Sequence, residues 1–416
     1  MPVKVNPNSF FTLHRRALFA APVIQGFVLL FTLYFSLSLL PSLAWGAEVN
    51  LPVSVFSTYP SDALQQSCQT QRQIDVETKT VTSFKPQHES IDGYVNESAL
   101  FANNELCIED AISPDAFIEQ IIKSGVFTNL RPFGEGNDYE LLIANVGPAP
   151  RTTHDNLMPK DAKQYAEFTI QWRGIEIDSA SFSASLNNDT NKIKSKRQGS
   201  QEGIANAQQQ APQTLVSKWL DYAERTGLFT SQYLFTALEA SNYESALQVP
   251  SAVGEFTKLA TQLYADPFSG AITRYTHPAY EDALIDVTVY PFLEQLTLDE
   301  NELLPKQLEE DLKRAKSNAQ IQKLTLSQVK PAARYKVNNQ IFGWRLGLSA
   351  TSESSPSIYA TTYVFRRQDK IIKVSTTFPP DYSDNIVDKL IVKIEVPEES
   401  KMMKNVRALL LQRPQQ

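Results

Sequence analysis

Paired acids are the first chemistry to weigh in this 416-residue sequence. Glycoside hydrolysis needs two carboxylates flanking one bond, one to supply a proton and one to attack or to activate water. Asp286 and the adjacent Glu281 and Asp282 are the candidates, all in or beside a stretch that reads as a strand. Strand acids facing water are far commoner than catalytic ones, so solvent-facing carboxylates are the expectation. Asp299-Glu300-Asn301 is acidic but lacks the alternating Asp/Asn and Gly spacing of a calcium loop. Gly134-Glu135-Gly136 lacks the following helix and the Lys-Ser/Thr ending of a phosphate loop, and reads as a hairpin turn. Ser269 and Ser349 have neither the strand-to-helix elbow nor the histidine that a hydrolase nucleophile requires. The histidines His14, His88, His154 and His277 are scattered, with no metal-ligand spacing. No catalytic residue, metal ligand or cofactor is assigned.

Cys68 and Cys107 are the only cysteines. In an oxidising compartment such a pair is most simply one disulfide; the alternatives are two buried thiols or a catalytic thiol, and the latter lacks both a Cys-x-x-Cys and a placed histidine. Trp172 and Trp344 each sit in a predicted strand, and Tyr359, Tyr363 and Phe365 share one face of another. Half-buried strand aromatics are most simply core. An exposed subset of Trp172, Trp344, Tyr359 and Tyr363 would instead form a binding surface for peptide or glycan.

The oxidising compartment is itself read from the first 46 residues. Arg15 and Arg16 precede an apolar stretch from Ala17 to about Leu40, followed by Pro41 and the small residues Ala44 and Gly46. That order is the layout of a secretory signal peptide, with the cut expected after Gly46. The alternative is an uncleaved anchor, since an apolar run of roughly 18 residues spans a bilayer, and the cations before it would stay on the cytoplasmic side. Either way the body is expected in the periplasm or outside the cell. Removing 1–46 takes away three cations and no acid, so the net charge moves from −7 to −10. This acidity argues against nucleic acid and against a basic membrane-binding face.

About 370 remaining residues exceed one typical core, so two domains are expected. The first, 47–248, holds the disulfide. It contains a helix opened by Ser113-Pro114 and stopped by Gly125, a strand at Val126–Leu130, and strands at Tyr139–Val146, Tyr165–Trp172 and Ile175–Leu186. The last two are joined by an Arg173-Gly174 turn, and the second slips phase by one residue. Polar residues 187–210 run into a helix carrying Leu215 and Trp219. The second domain, 252–398, is expected to start with a helix through Val253, Phe256, Leu259, Ala260 and Leu263. Strands, a charged helix at 302–322, four further β segments and a closing helix from Ser383 follow, and 399–416 reads as a polar tail. The expected fold class is α+β, two mostly antiparallel sheets, each with helices packed on one face.

Between Pro114 and Val146 the order of helix, Ser124-Gly125-Val126-Phe127, turn, Asp138-Tyr139 and strand resembles the small sheet-and-helix modules of bacterial envelope transport and assembly accessory proteins. The chain departs from the lipoproteins among them in having no cysteine to carry lipid. The region 266–395 resembles uncharacterised bacterial domains built around Arg274-Tyr275, Asp286–Pro291 and a hairpin from Tyr363-Val364-Phe365 to Lys373. Neither resemblance transfers a functional residue. The expectation is an exported, non-catalytic binding or accessory protein of the envelope, with an envelope protein or glycan as partner. The rivals are a metal-independent carboxylate hydrolase and a membrane-anchored structural subunit.

Overall fold

The computed structural model describes residues 49–68, 107–148, 163–186, 201–338, 340–352 and 355–412. The expected signal segment lies outside the described residues. The chain divides into two compact units, the division falling between Ala237 and Leu238. Both are α+β, and their sheets are largely antiparallel.

In the first unit, strands β1 (Val53–Ser57), β2 (Cys107–Glu109), β3 (Leu130–Pro132), β4 (Tyr139–Pro148), β5 (Lys163–Trp172) and β6 (Ile175–Ser185) form one sheet, with path β3-β1-β4-β5-β6 and β2 paired to β4. β1 runs parallel to both β3 and β4 and lies between them. Residues 133–138 therefore connect strands that are not neighbours, which corrects the hairpin turn expected at Gly134–Gly136. The strand that intervenes comes from far earlier in the chain, and no local signal announces it. The expected strand at Val126–Leu130 is confined to a single bridge from Phe127 to Val49, with β3 beginning at Leu130. At Arg173-Gly174 the turn forms with both φ positive, and β6 carries its irregularity where Ile170 and Gln171 face Asp178 and Glu176.

Alternate residues of β5, from Gln164 to Trp172, are buried. Phe168 lies between Phe117 and Trp219, with ring centroids 6.2 and 5.0 Å away. These two rings come from α2 (Pro114–Ser124) and α3 (Gln201–Thr226), so both helices cover the same face. The opposite face is partly covered by α1 (62–68), where Leu64 and Cys68 pack with Val146 and Tyr165. Cys68 and Cys107 are joined in a disulfide, their Cα atoms 6.3 Å apart. Two short helices follow, α4 (Ser231–Ala237) and, in the second unit, α5 (Tyr243–Ala246).

The second unit is an eight-stranded antiparallel sheet in the order β11-β12-β13-β14-β10-β9-β8-β7. Its strands are β7 (Ala252–Val253), β8 (Phe256–Leu263), β9 (Ala271–His277), β10 (Tyr280–Pro291), β11 (Thr325–Lys336), β12 (Phe342–Ser352), β13 (Ser355–Arg367) and β14 (Lys370–Thr376). The helix expected through Val253 and Phe256 is instead the β7–β8 hairpin. Gly254 takes φ +58 at its turn, and Val253 and Phe256 become cross-strand partners. Their three-residue spacing imitates a helical period, but it arises from the hairpin.

Helices lie on both faces of this sheet, not one. α6 (Glu300–Ile321) sets Leu303, Leu304 and Leu308 against Leu346, Leu348, Val364 and Ile371. α7 (Pro380–Ile391) covers the other face, where the Ser383 and Thr376 hydroxyls lie 2.7 Å apart. The expected polar tail is a helix, α8 (Lys401–Gln412), with Met402, Met403 and Arg407 buried. Arg407 reaches inward to Asp369 (3.7 Å) and Glu399, and donates to the Phe292 carbonyl. A cation buried by pairing is invisible to a hydrophobic pattern, and this one made the segment look solvated.

Candidate functional site

Of the candidate acids, Glu281 and Asp282 are exposed at the start of β10, while Asp286 and Asp299 are engaged. Asp286 on β10 accepts two hydrogen bonds from Arg274 on β9, at 2.7 and 2.8 Å, because the two residues are register partners whose side chains share a face. Asp299 caps α6, accepting from the Asn301 backbone N–H at 2.7 Å. Among the described residues no group of three or more His, Cys, Asp and Glu is arranged to hold a metal ion.

The four candidate aromatics are divided between the two units and, within the second, between the two faces of its sheet. Trp172 belongs to the first unit and is buried, with the Arg173 guanidinium 4.4 Å above its ring. Trp344 is half-buried against the leucine core beneath α6. Tyr359 and Tyr363 lie on the opposite face of the sheet from Trp344, Tyr359 half-buried and Tyr363 fully enclosed.

Tyr363 belongs to a polar brace that anchors α7 to the outer strands. Its hydroxyl donates to Asp384 at 2.6 Å, and the other Asp384 oxygen accepts from Arg345 at 2.6 Å. One turn further along α7, Asp388 accepts from the Tyr335 hydroxyl at 2.6 Å. The Arg345 guanidinium stands 5.3 Å from the Tyr335 ring, which meets Tyr363 edge-on at 5.0 Å. Burial first, then the bond to a carboxylate, pushes both tyrosine hydroxyls well above the usual tyrosine range. Sequence reasoning missed this brace because its partners come from β11, β12, β13 and α7; the spacing of Asp384 and Asp388, one helical turn apart, was the only local hint.

The brace fixes the edge strand β11 from one side; on the opposite side α6 covers Leu326, and the strand is open toward its end at Arg334 and Lys336. Arg334 and Lys336 flank Tyr335 in sequence, so they point to the other face. Both are exposed, and their charges stand 5.4 and 5.8 Å from the ring of Phe342, which is 37% exposed. Neither forms an ion pair among the described residues. Between Phe342 and Trp344 only glycine fits, since a Cβ on Gly343 would come within 2.5 Å of the Phe365 ring. The site is an edge braced from one side that presents an aromatic ring and two cations without ion-pair partners among the described residues.

Fold and site together define an α+β protein of two largely antiparallel sheets. No family model matches the chain, and no curated protein does. Among solved structures it is weakly similar to cyanobacterial PsbP from Synechocystis sp. PCC 6803, with 12% identity, 36% of this chain and 93% of that one covered, and a TM-score of 0.24. It is also weakly similar to a DUF330 protein from Xanthomonas campestris, with 13% identity, 46% and 93% coverage and a TM-score of 0.23. Likenesses of this strength say nothing about activity. Among the described residues no helix is long and apolar enough to cross a membrane.

Proposed function

We propose that this chain is an exported, non-catalytic binding protein that serves as an accessory in the bacterial cell envelope. One observation carries the reading: the β11 edge is held rigid by the tyrosine and aspartate brace yet leaves Arg334, Lys336 and Phe342 open to a partner. Strength spent on holding a strand whose outward groups are unpaired suits recognition. The export order of residues 1–46 and the Cys68–Cys107 disulfide support an oxidising location. The pairing of Asp286 with Arg274 favours binding over hydrolysis, because both carboxylate oxygens are already engaged by the guanidinium.

The test is a native-source measurement in two parts. Mass spectrometry of the native N-terminus is expected to begin at Ala47. Photo-crosslinkers placed across the eight-stranded sheet are expected to trap an envelope component. A cytosolic chain retaining 1–46, or crosslinkers that trap nothing anywhere on the sheet, would overturn the reading.

A further inference from the structure

We propose that the β11 edge at Arg334 and Lys336 binds an extended acidic peptide as an added strand, with carboxylates at alternate positions facing the two cations. The inference rests on the binding-protein reading and names the partner class.

Backbone geometry selects these residues. The Val337 N–H donates to the Ile341 carbonyl at 3.1 Å, and in the same register Tyr335 pairs with Gly343, Lys336 with Phe342 and Arg334 with Trp344. Antiparallel ladders alternate bonded and non-bonded pairs. With Val337 and Tyr335 bonded to β12, the N–H and C=O groups of Arg334 and Lys336 point away from it, toward the edge. Among the described residues β11 pairs with β12 alone. Between Ala333 and Val337 the two residues whose backbone groups face the edge are thus the two cations, which have no ion-pair partner among the described residues.

The usable edge is short. Register irregularities fall between Gln328 and Lys330 and between Lys330 and Ala333, and Pro331 has no N–H to give. Pairing is confined to about Ala333–Lys336, which suits a short peptide and not a long sheet extension. A second copy of this edge would bring the same cations opposite themselves and be repelled. An acidic strand places one carboxylate across from Arg334 and the next but one across from Lys336, both on the face that carries the two cations.

The test uses the full chain and fluorescent peptides with alternating Glu and Val. Binding is expected to fall with added salt and to weaken about tenfold in R334Q/K336Q, as two cross-strand charge pairs would give. Both side chains are exposed, so thermal unfolding of that variant should match the parent and exclude misfolding. A peptide with the same residues but its glutamates in one block should bind more weakly, as should one with N-methylated backbone amides. Equal affinity for all three peptides, or unchanged affinity in R334Q/K336Q, would overturn the proposal, as would no binding at all. Envelope crosslinks that map elsewhere on the sheet would leave the broader reading standing while this one falls.

Discussion

At the scale of single residues, the tyrosines of the brace set an alkaline limit on stability. Tyr363 and Tyr335 stay protonated in the folded chain well above the usual range, held there by burial and by their carboxylate partners. Below about pH 10 both folded and unfolded tyrosines are protonated, and the stabilisation is complete. As pH rises further the unfolded chain ionises first, so stability falls. Tyr363→Phe is expected to cost about 1 kcal/mol at neutral pH and to flatten that alkaline decline; urea titrations at neutral and alkaline pH measure both. A buried charge behaves differently. Lys370 is fully enclosed and Asp369 nearly so, the two 2.6 Å apart. Asp369→Ala leaves that ammonium with the Glu398 carbonyl at 3.4 Å and is expected to cost about 3–5 kcal/mol, read as a large drop in urea midpoint.

At the scale of elements, much was legible wherever the signal is local. Ser113-Pro114 and Gly125 bracket α2 as their backbone preferences demand, and Gly125 takes φ 68 at its end. The phase slip foreseen after Ile177 is the irregularity of β6. What failed was non-local: the insertion of β1 between β3 and β4, and the inward turn of Arg407 that converts a polar segment into a docked helix. The site divided in the same way. Trp344 and Tyr363 were singled out by residue type, but that they lie on opposite faces depends on register, and Arg334 and Lys336 carried no signal apart from an edge that sequence does not reveal. Gly343→Ala tests the close approach of β12 to Phe365; the added methyl is expected to cost about 1–3 kcal/mol by overpacking, measured by thermal or urea unfolding. Replacing both cysteines, Cys68→Ala with Cys107→Ala, frees α1 and β2 from one another and is expected to cost about 3–4 kcal/mol in the loop-entropy model, again by urea unfolding.

At the scale of the whole molecule, the two units each close their own sheet and core. Residues 238–416 expressed alone are expected to unfold cooperatively on heating, by calorimetry or circular dichroism; a chain that melts without a transition would show that this unit depends on the first. That unit also has an order of assembly written into it. The turn after β13 holds its ion pair against a guanidinium supplied by α8, and the Phe292 carbonyl waits for the same group. A chain leaving a ribosome or a translocation channel from its N-terminal end would display every strand of this sheet before residue 407 emerged. Until then Asp369 has Lys370 alone as a counter-charge, so the last increment of this sheet's stability is expected only once α8 docks, after the threading is over.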